Sequence, residues 1–563
     1  MRKLGDWLDE RLGHRALVRS WLDHPVPGGA RWAYVFGSVL VFLLGLQALT
    51  GILMATVYAP STQAAWASVV YLERSVSLGW LMRRLHAGGA SAMVIVCVLH
   101  LLQTTLWGAY RRPREVNWWV GLLLMACLLG FALTGYLLPW DQKGFWATQV
   151  ATNLAAVVPL VGERLRELLL GGPEYGALTL TRFYAAHTLL LPALTVILVV
   201  IHVALMRKHG VTPSWRLDEE AAKKAAEPFR DRQLIWDLLA MTATLAALFG
   251  WAFLQHRSGV VPVDAPADPA ASYEARPEWY FLPLFQLLKY FPGRWEPVGA
   301  IGVPLVAAVL LMGLPLFDKG PSRSPARRKR FVGVVLVLLG GAAALGVLAV
   351  RADARDPAYA KARKRADAEA ARAFALAADG VPVAGGTAVY DNDPLVRGRR
   401  VFGERCAGCH VLDGQGERKG PDLDGWSSRT WISAFLHEPT ADRFYGTTKI
   451  RGMKPIHADA PDEAAMVEWI FSQGGGTFNV ELAQKGRALI ESMSCNDCHE
   501  LDGVTVGDGV PNLGNRASLG WTVDFLREPD KVFGRKNDMP SFAKLDAAEL
   551  DALAALMAAE RTK

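Results

Sequence analysis

Four histidines sit in two long apolar stretches: His86 and His100 in RRLHAGGASAMVIVCVLH, and His187 and His202 in RFYAAHTLLLPALTVILVVIH. The first two are fourteen residues apart and the second two fifteen. At roughly 100° and 1.5 Å per residue, fourteen residues fall about 40° short of four turns and fifteen run about 60° past. Each helix therefore presents both imidazoles on one broad face, about 21–22 Å apart along its axis. Two such helices facing each other offer two His–His pairs at two depths of a bilayer core roughly 30 Å thick. Bis-imidazole ligation of two stacked b haems is the chemistry that fits. Four ionisable groups at matched depths are hard to account for as packing alone.

A second kind of site lies near the C-terminus, where C-x-x-C-H occurs twice: Cys406, Cys409 and His410, then Cys495, Cys498 and His499. This is the attachment pattern of c-type haem, in which two thiols add to the haem vinyls and the histidine supplies one axial ligand. A tandem pair is poorly explained by chance or by a zinc knuckle. Met453 in RGMKPI and Met539 in NDMPSF are the expected second ligands, since a thioether raises the potential. His457 is the alternative in the first copy. Pro421 and Pro511 follow the ligand histidines by eleven and twelve residues and are expected to buttress the imidazoles.

Other residues fit around the membrane sites. Gly37 and Gly51 repeat at fourteen, as do Gly121 and Gly135, and missing side chains there would let a flat macrocycle approach the backbone. Arg83, Arg84 and Arg182 precede the outer histidines and read as partners of haem propionates, with an ordinary snorkelling cation as the competing account. Arg207, five residues past His202, would do the same on the inner side or meet a quinone. Glu278, in RPEWYFLPLFQLLKY, would place a carboxylate beside aromatic surface, where a carboxyl group can accept a quinol proton.

The elements that must hold these groups follow from composition. The chain of 563 residues is 51% hydrophobic and 20% charged, too apolar for an ordinary soluble multidomain protein. Its net charge of +7 arises from cations at membrane edges and is no nucleic-acid signal. Seven spans are expected, at about 33–57, 79–105, 116–138, 184–206, 233–254, 298–316 and 331–350. No cleavable signal peptide is visible in the charged N-terminal arm. Lys and Arg concentrate in that arm and in the connections after spans two, four and six, so the N-terminus is expected to be cytoplasmic and everything after 350 outside. The fold class is all-α: a seven-span transmembrane helical bundle followed by two small helical cytochrome c domains. We divide the chain into a four-span haem-binding bundle (1–215), a three-span part with the quinol loop (216–350), a charged Ala-rich linker (351–395), and cytochrome c domains at 396–476 and 477–563. Cys97 and Cys127 lie in spans and the other four cysteines in the two motifs. That leaves no set for an iron–sulfur cluster.

Over about residues 1–350 the chain resembles cytochrome b of the quinol-oxidising cytochrome bc and bf complexes. The resemblance rests on the histidine pairs, the spaced glycines, GYLLPWDQKGFWA (135–147) and PEWY (277–280). The fifteen-residue spacing and the seven spans resemble the chloroplast-type bf arrangement, with its two polypeptides fused. The resemblance implies that His86/His187 ligate an outer haem and His100/His202 an inner one. It implies that Glu278 and Tyr280, with the 136–146 segment, line the outer quinol-oxidation pocket. The bf family attaches an extra haem through a cysteine in the first span, and the matching position here is Val35. The C-terminal part resembles tandem class I cytochromes c. The expected protein is the core of a quinol:cytochrome c oxidoreductase with coupled proton translocation, carrying two haem b and two haem c. Its expected partners are a separate Rieske iron–sulfur protein, quinone, membrane lipid, a periplasmic cytochrome c or terminal oxidase as acceptor, and a second copy in a homodimer. Rival readings are a Rieske-independent quinol dehydrogenase and a membrane-tethered dihaem relay.

Overall fold

The computed structural model describes residues 2–172, 174–271, 273–450, 452–503, 510–534 and 537–563. It forms two compact units, Met1–Thr387 and Ala388–Lys563. Nearly all of its regular structure is helical; the described strands are two short antiparallel pairs, Pro25–Val26 with Glu227–Pro228 and Val411–Leu412 with Gln415–Gly416.

Among the described residues seven helices are long and apolar enough to cross a membrane: Trp32–Ala55, Gly79–Trp107, Glu115–Leu137, Ala177–His209, Gln233–Arg257, Gly293–Phe317 and Pro325–Arg355. Their number matches the sequence reading, while several ends run further. The fourth begins at Ala177 rather than near 184, and the seventh spans Pro325–Arg355 rather than 331–350. Hydropathy marks where a helix leaves the apolar layer, whereas hydrogen bonding continues into charged turns such as Arg327–Arg330.

The first span packs on the second, and both contact the fifth, around buried Val35, Val39, Leu43, Leu85, Ala240 and Leu248. The third packs on the fourth and also contacts the sixth, to which Trp118 and Trp119 donate indole N–H bonds at the Leu311 and Met312 carbonyls (2.8 and 2.9 Å). Arg328, 2% exposed, ties the end of the second span to the connection between spans six and seven. It donates to Asp318 at 2.7 Å and to the Thr105 carbonyl at 3.0 Å, while Tyr110 donates its hydroxyl to Asp318 at 2.7 Å.

The shorter helices that bear on function are α1 (Ala65–Arg74), α2 (Gln142–Ala156), α3 (Leu282–Leu288) and α4 (Pro357–Leu376). The second unit contains α5 (Pro394–Arg405), α6 (Arg429–His437), α7 (Ala460–Ser472), α8 (Val480–Ser492), α9 (Leu519–Arg527) and α10 (Ala547–Glu560). Its two C-x-x-C-H repeats share one hydrophobic core. Helix α5 of the first repeat packs against α10 of the second, and α8 of the second packs against α7 of the first. The close crossings fall on glycines. A Cβ on Gly398 would lie 2.4 Å from the Ala552 carbonyl oxygen, and one on Gly486 1.8 Å from that of Ala465. The repeats have exchanged their leading helices.

Candidate haem and quinol sites

The second and fourth spans bring their histidines together in two pairs. Ring centres of His86 and His187 are 6.3 Å apart, and those of His100 and His202 are 6.5 Å apart. A metal–imidazole bond of about 2 Å on each side, plus about 1 Å from nitrogen to ring centre, gives about 6 Å. Both gaps therefore suit one iron between two imidazoles, with a porphyrin supplying the remaining four ligands.

The fourth span explains its odd spacing. Residues Ala186–Leu190 form a π-helical turn, closed by Leu191 N–H donating to the Ala186 carbonyl. A wide turn accommodates one extra residue. Fifteen residues in this span thus cover nearly the same angle as fourteen in the second, and both histidines face the opposite pair.

The spaced glycines face the imidazoles. A Cβ would lie 3.3 Å from His86 at Gly51, 2.7 Å from His187 at Gly135, 3.3 Å from His202 at Gly121 and 3.8 Å from His100 at Gly37. The first span thus backs the histidines of the second, and the third backs those of the fourth.

Orientation of the rings differs between levels. Thr50 and Thr134 place hydroxyl oxygens 2.9 and 3.0 Å from Nδ1 of His86 and His187. Each hydroxyl also donates to its own helix, at Leu46 and Gly130 (2.7 and 2.8 Å), so it accepts from the imidazole and leaves Nε2 facing the gap. Among the described residues no hydroxyl reaches Nδ1 of His100 or of His202; the first is buried without a partner, and the second lies by the Asn117 backbone.

In the second unit His410 and His499 donate from Nδ1 to the carbonyls of Pro421 and Pro511, both at 2.7 Å. Burial holds both imidazoles below their usual range, so they are neutral and able to ligate at pH 7. Burial pushes the Cys406 thiol up to about 11. Met453 and Met539 pack against the shared core, whereas His457 is exposed. Asn537 fixes the second methionine turn, donating to the Met539 carbonyl at 2.8 Å and accepting from its N–H at 3.0 Å.

The arginines have protein partners that sequence could not supply. Arg83 pairs with Glu73 at 3.1 Å and donates to the Pro262 carbonyl at 2.6 Å. Arg84 donates to the Val260 carbonyl at 3.3 Å and keeps a buried Nε–H without a partner. Arg182 donates to the Leu168 carbonyl, and Arg207 to that of Ser20 while stacking on Trp21. Glu278 is paired with Lys143 of α2 at 2.8 Å. Tyr280 has its hydroxyl acidity weakened by burial, and Trp279 donates to Ser91 of the second span at 3.4 Å.

Two groups escaped the sequence reading. Asp141, inside PWDQK, caps α2 by accepting from Gly144 N–H at 2.8 Å. Burial and the neighbouring Asp264 carboxylate push its carboxyl up to about 6. Asp237, 2% exposed in the fifth span, accepts from Ser38 at 2.6 Å and Gln233 at 2.8 Å; Ser38 follows Gly37, which faces His100. A lone carboxylate in QLIWDLLAM was the available signal for it.

Residues 21–210 match the family model described as Cytochrome b/b6/petB, and 266–362 that described as Cytochrome b(C-terminal)/b6/petD. The chain is 40% identical over 220 residues to the "Menaquinol:cytochrome c reductase cytochrome b subunit" of Geobacillus thermodenitrificans, covering 38% of this chain and 98% of that one. This chain belongs to the cytochrome b family. Its C-terminal unit adds a Cytochrome c match at 395–472 and one to Cytochrome C oxidase, cbb3-type, subunit III at 481–557. The chain is 33% identical over 344 residues to "Cytochrome b/c1" of Bradyrhizobium diazoefficiens, covering 59% of this chain and about half (49%) of that relative. A solved chain titled "Hyperthermophilic respiratory Complex III" superposes with a TM-score of 0.54 at 26% identity, covering 68% of this chain and 98% of that one. This cytochrome b is a multi-pass electron-transport protein and a core subunit of a cytochrome bc complex. It carries b haem in its membrane part and covalent c haem in its repeats, and works as an oxidoreductase component on quinone.

Proposed function

We propose that the chain is the electron-carrying core of a quinol:cytochrome c oxidoreductase coupled to proton translocation across a bacterial cytoplasmic membrane. The observation that carries this is the two imidazole pairs, 6.3 and 6.5 Å across, stacked on one pair of spans. His86 with His187 and His100 with His202 would hold the b haems. Cys406, Cys409 and His410, and Cys495, Cys498 and His499, would hold the c haems, with Met453 and Met539 as second ligands. When bound, the haems supply one-electron transfer.

The chain's own residues do the rest. Thr50 and Thr134, like the Pro421 and Pro511 carbonyls, hold the Nδ1 proton and so leave Nε2 as the nitrogen that would ligate a haem iron. The unpartnered Nε–H of Arg84 is available to a propionate. Glu278 takes a proton from quinol at the outer side, aided by Tyr280, and releases it as Lys143 reclaims the carboxylate. Asp237 supplies protons to quinone at the inner side. The distribution of Lys and Arg supports an N-terminus in the cytoplasm and the c repeats outside. With its six cysteines in spans and haem motifs, the chain works with a separate Rieske protein, passes electrons to a periplasmic cytochrome c or terminal oxidase, and assembles as a homodimer.

Redox titration with pyridine-haemochrome quantitation of the purified complex tests the reading. Two b and two c haems per chain are expected; absence of b haem defeats it. Glu278→Gln should slow quinol-dependent reduction of the b haems about 100-fold, and an unchanged rate removes Glu278 from the site.

A further inference from the structure

The stretch after the seventh span reads in the sequence as a spacer, yet it lies strapped to the membrane unit at both ends. Helix α4 starts at Pro357, capped by Asp356, which accepts from the N–H groups of Ala358 and Tyr359 at 2.9 and 3.2 Å. At this end the Arg276 guanidinium lies 4.3 Å over the Tyr359 ring, and its Nε reaches both carboxylate oxygens of Asp353 at 3.1 Å. At the other end Arg74, the last residue of α1, donates to the Phe374 carbonyl and lies 4.1 Å over that ring. Ala370 and Ala373 on the intervening face are buried.

Arg276 is the residue before Pro277 and Glu278. Its carbonyl accepts the Tyr136 hydroxyl at 3.2 Å, so its main chain is tied to the third span and its side chain to Asp353 at the end of the seventh span and Tyr359 in the strap. A residue before proline has a narrowed backbone range, and proline fixes its own φ. Little freedom is left between Arg276 and the carboxylate two residues on.

We infer that Asp353 and Tyr359 are positioning residues for quinol oxidation: the end of the seventh span and the first turn of the strap together grip Arg276 and thereby set the place of Glu278. This rests on the reading of Glu278 as the quinol-proton acceptor. The strap thus does more than space the cytochrome c repeats from the membrane part; its first turn is part of the support of the quinol loop.

The test uses the purified full complex with decylubiquinol as donor. Tyr359→Ala and Asp353→Asn should each lower kcat about fivefold, with KM within about twofold of the parent. Haem content and c-haem spectra should stay unchanged, and Tyr359→Phe, which keeps the ring, should restore the parent kcat. Parent kcat values in both variants, with Glu278→Gln still slow, overturn this inference alone. A Glu278→Gln complex as fast as the parent overturns the proposed quinol site and the inference with it. If Tyr359→Ala loses haem, the subtler Asp353→Asn decides.

Discussion

Thr50 Oγ1 lies 2.9 Å from Nδ1 of His86 and, because it donates to the Leu46 carbonyl, accepts the imidazole proton. Thr134 does the same for His187 at 3.0 Å, while His100 and His202 have no such partner. An accepted N–H bond makes an imidazole the stronger donor to ferric iron and lowers the potential. Thr50→Val or Thr134→Val should therefore raise the midpoint of one b haem by roughly 20–40 mV, the equivalent of about half to one hydrogen bond, and leave the other in place. Redox titration followed in the b-haem bands checks it. Equal shifts in both haems would refute the assignment of the threonines to one level.

The glycines facing the imidazoles are not equivalent. A Cβ at Gly135 would sit 2.7 Å from His187 Cε1, inside any tolerable contact, whereas at Gly37 it would sit 3.8 Å from His100, an ordinary one. Gly135→Ala should displace His187 and cost about one b haem per chain, while Gly37→Ala should keep both. Pyridine-haemochrome counts on the two purified variants decide this. Loss from Gly37→Ala with retention in Gly135→Ala would be the wrong way round.

These two cases mark what the sequence holds. Histidine spacing is written along one helix at a time, so the two depths at which the imidazoles pair could be read from period alone. The glycine partners could not, because they depend on which span backs which. The π-helical turn at Ala186–Leu190 was hidden behind the spacing of fifteen. Lys143 and Glu278 are 135 residues apart and share no local pattern, so their ion pair was invisible. The pairing of Arg83 and Arg84 with Glu73 was equally invisible, because Glu73 lies on a separate short helix.

Asp141 carries a pH signature. Its carboxyl moves from 3.8 up to about 6, chiefly through burial and next through the charge of Asp264. The folded state thus binds this proton more tightly than the unfolded chain. The stabilisation is complete below about pH 4 and is lost as pH rises through about 6, a change of up to about 3 kcal/mol. Asp141→Asn keeps an oxygen for the Gly144 N–H but does not ionise. Thermal unfolding of the detergent-solubilised variant should lose less stability than the parent between about pH 5 and pH 7.5. Parallel curves would show that Asp141 does not titrate there.

The exchange of leading helices makes the strongest claim on the c repeats. Each repeat carries its own amphipathic leading helix and its own closing helix, which is why the sequence reads as two independent domains. In the structure α8 rests on α7 through Gly486, whose added Cβ would meet the Ala465 carbonyl oxygen at 1.8 Å, and α5 rests on α10 through Gly398. A methyl group forced against backbone at that distance costs about 3 kcal/mol or more. Gly486→Ala, in the second repeat, should therefore loosen the methionine side of the first repeat, whose α7 it disturbs. Separate haem-content assays on the two repeats, by proteolysis and mass spectrometry of haem peptides together with the methionine-to-iron absorption band, read this directly. Damage confined to the second repeat would mean that each repeat packs on itself in solution, and the exchanged arrangement would fall.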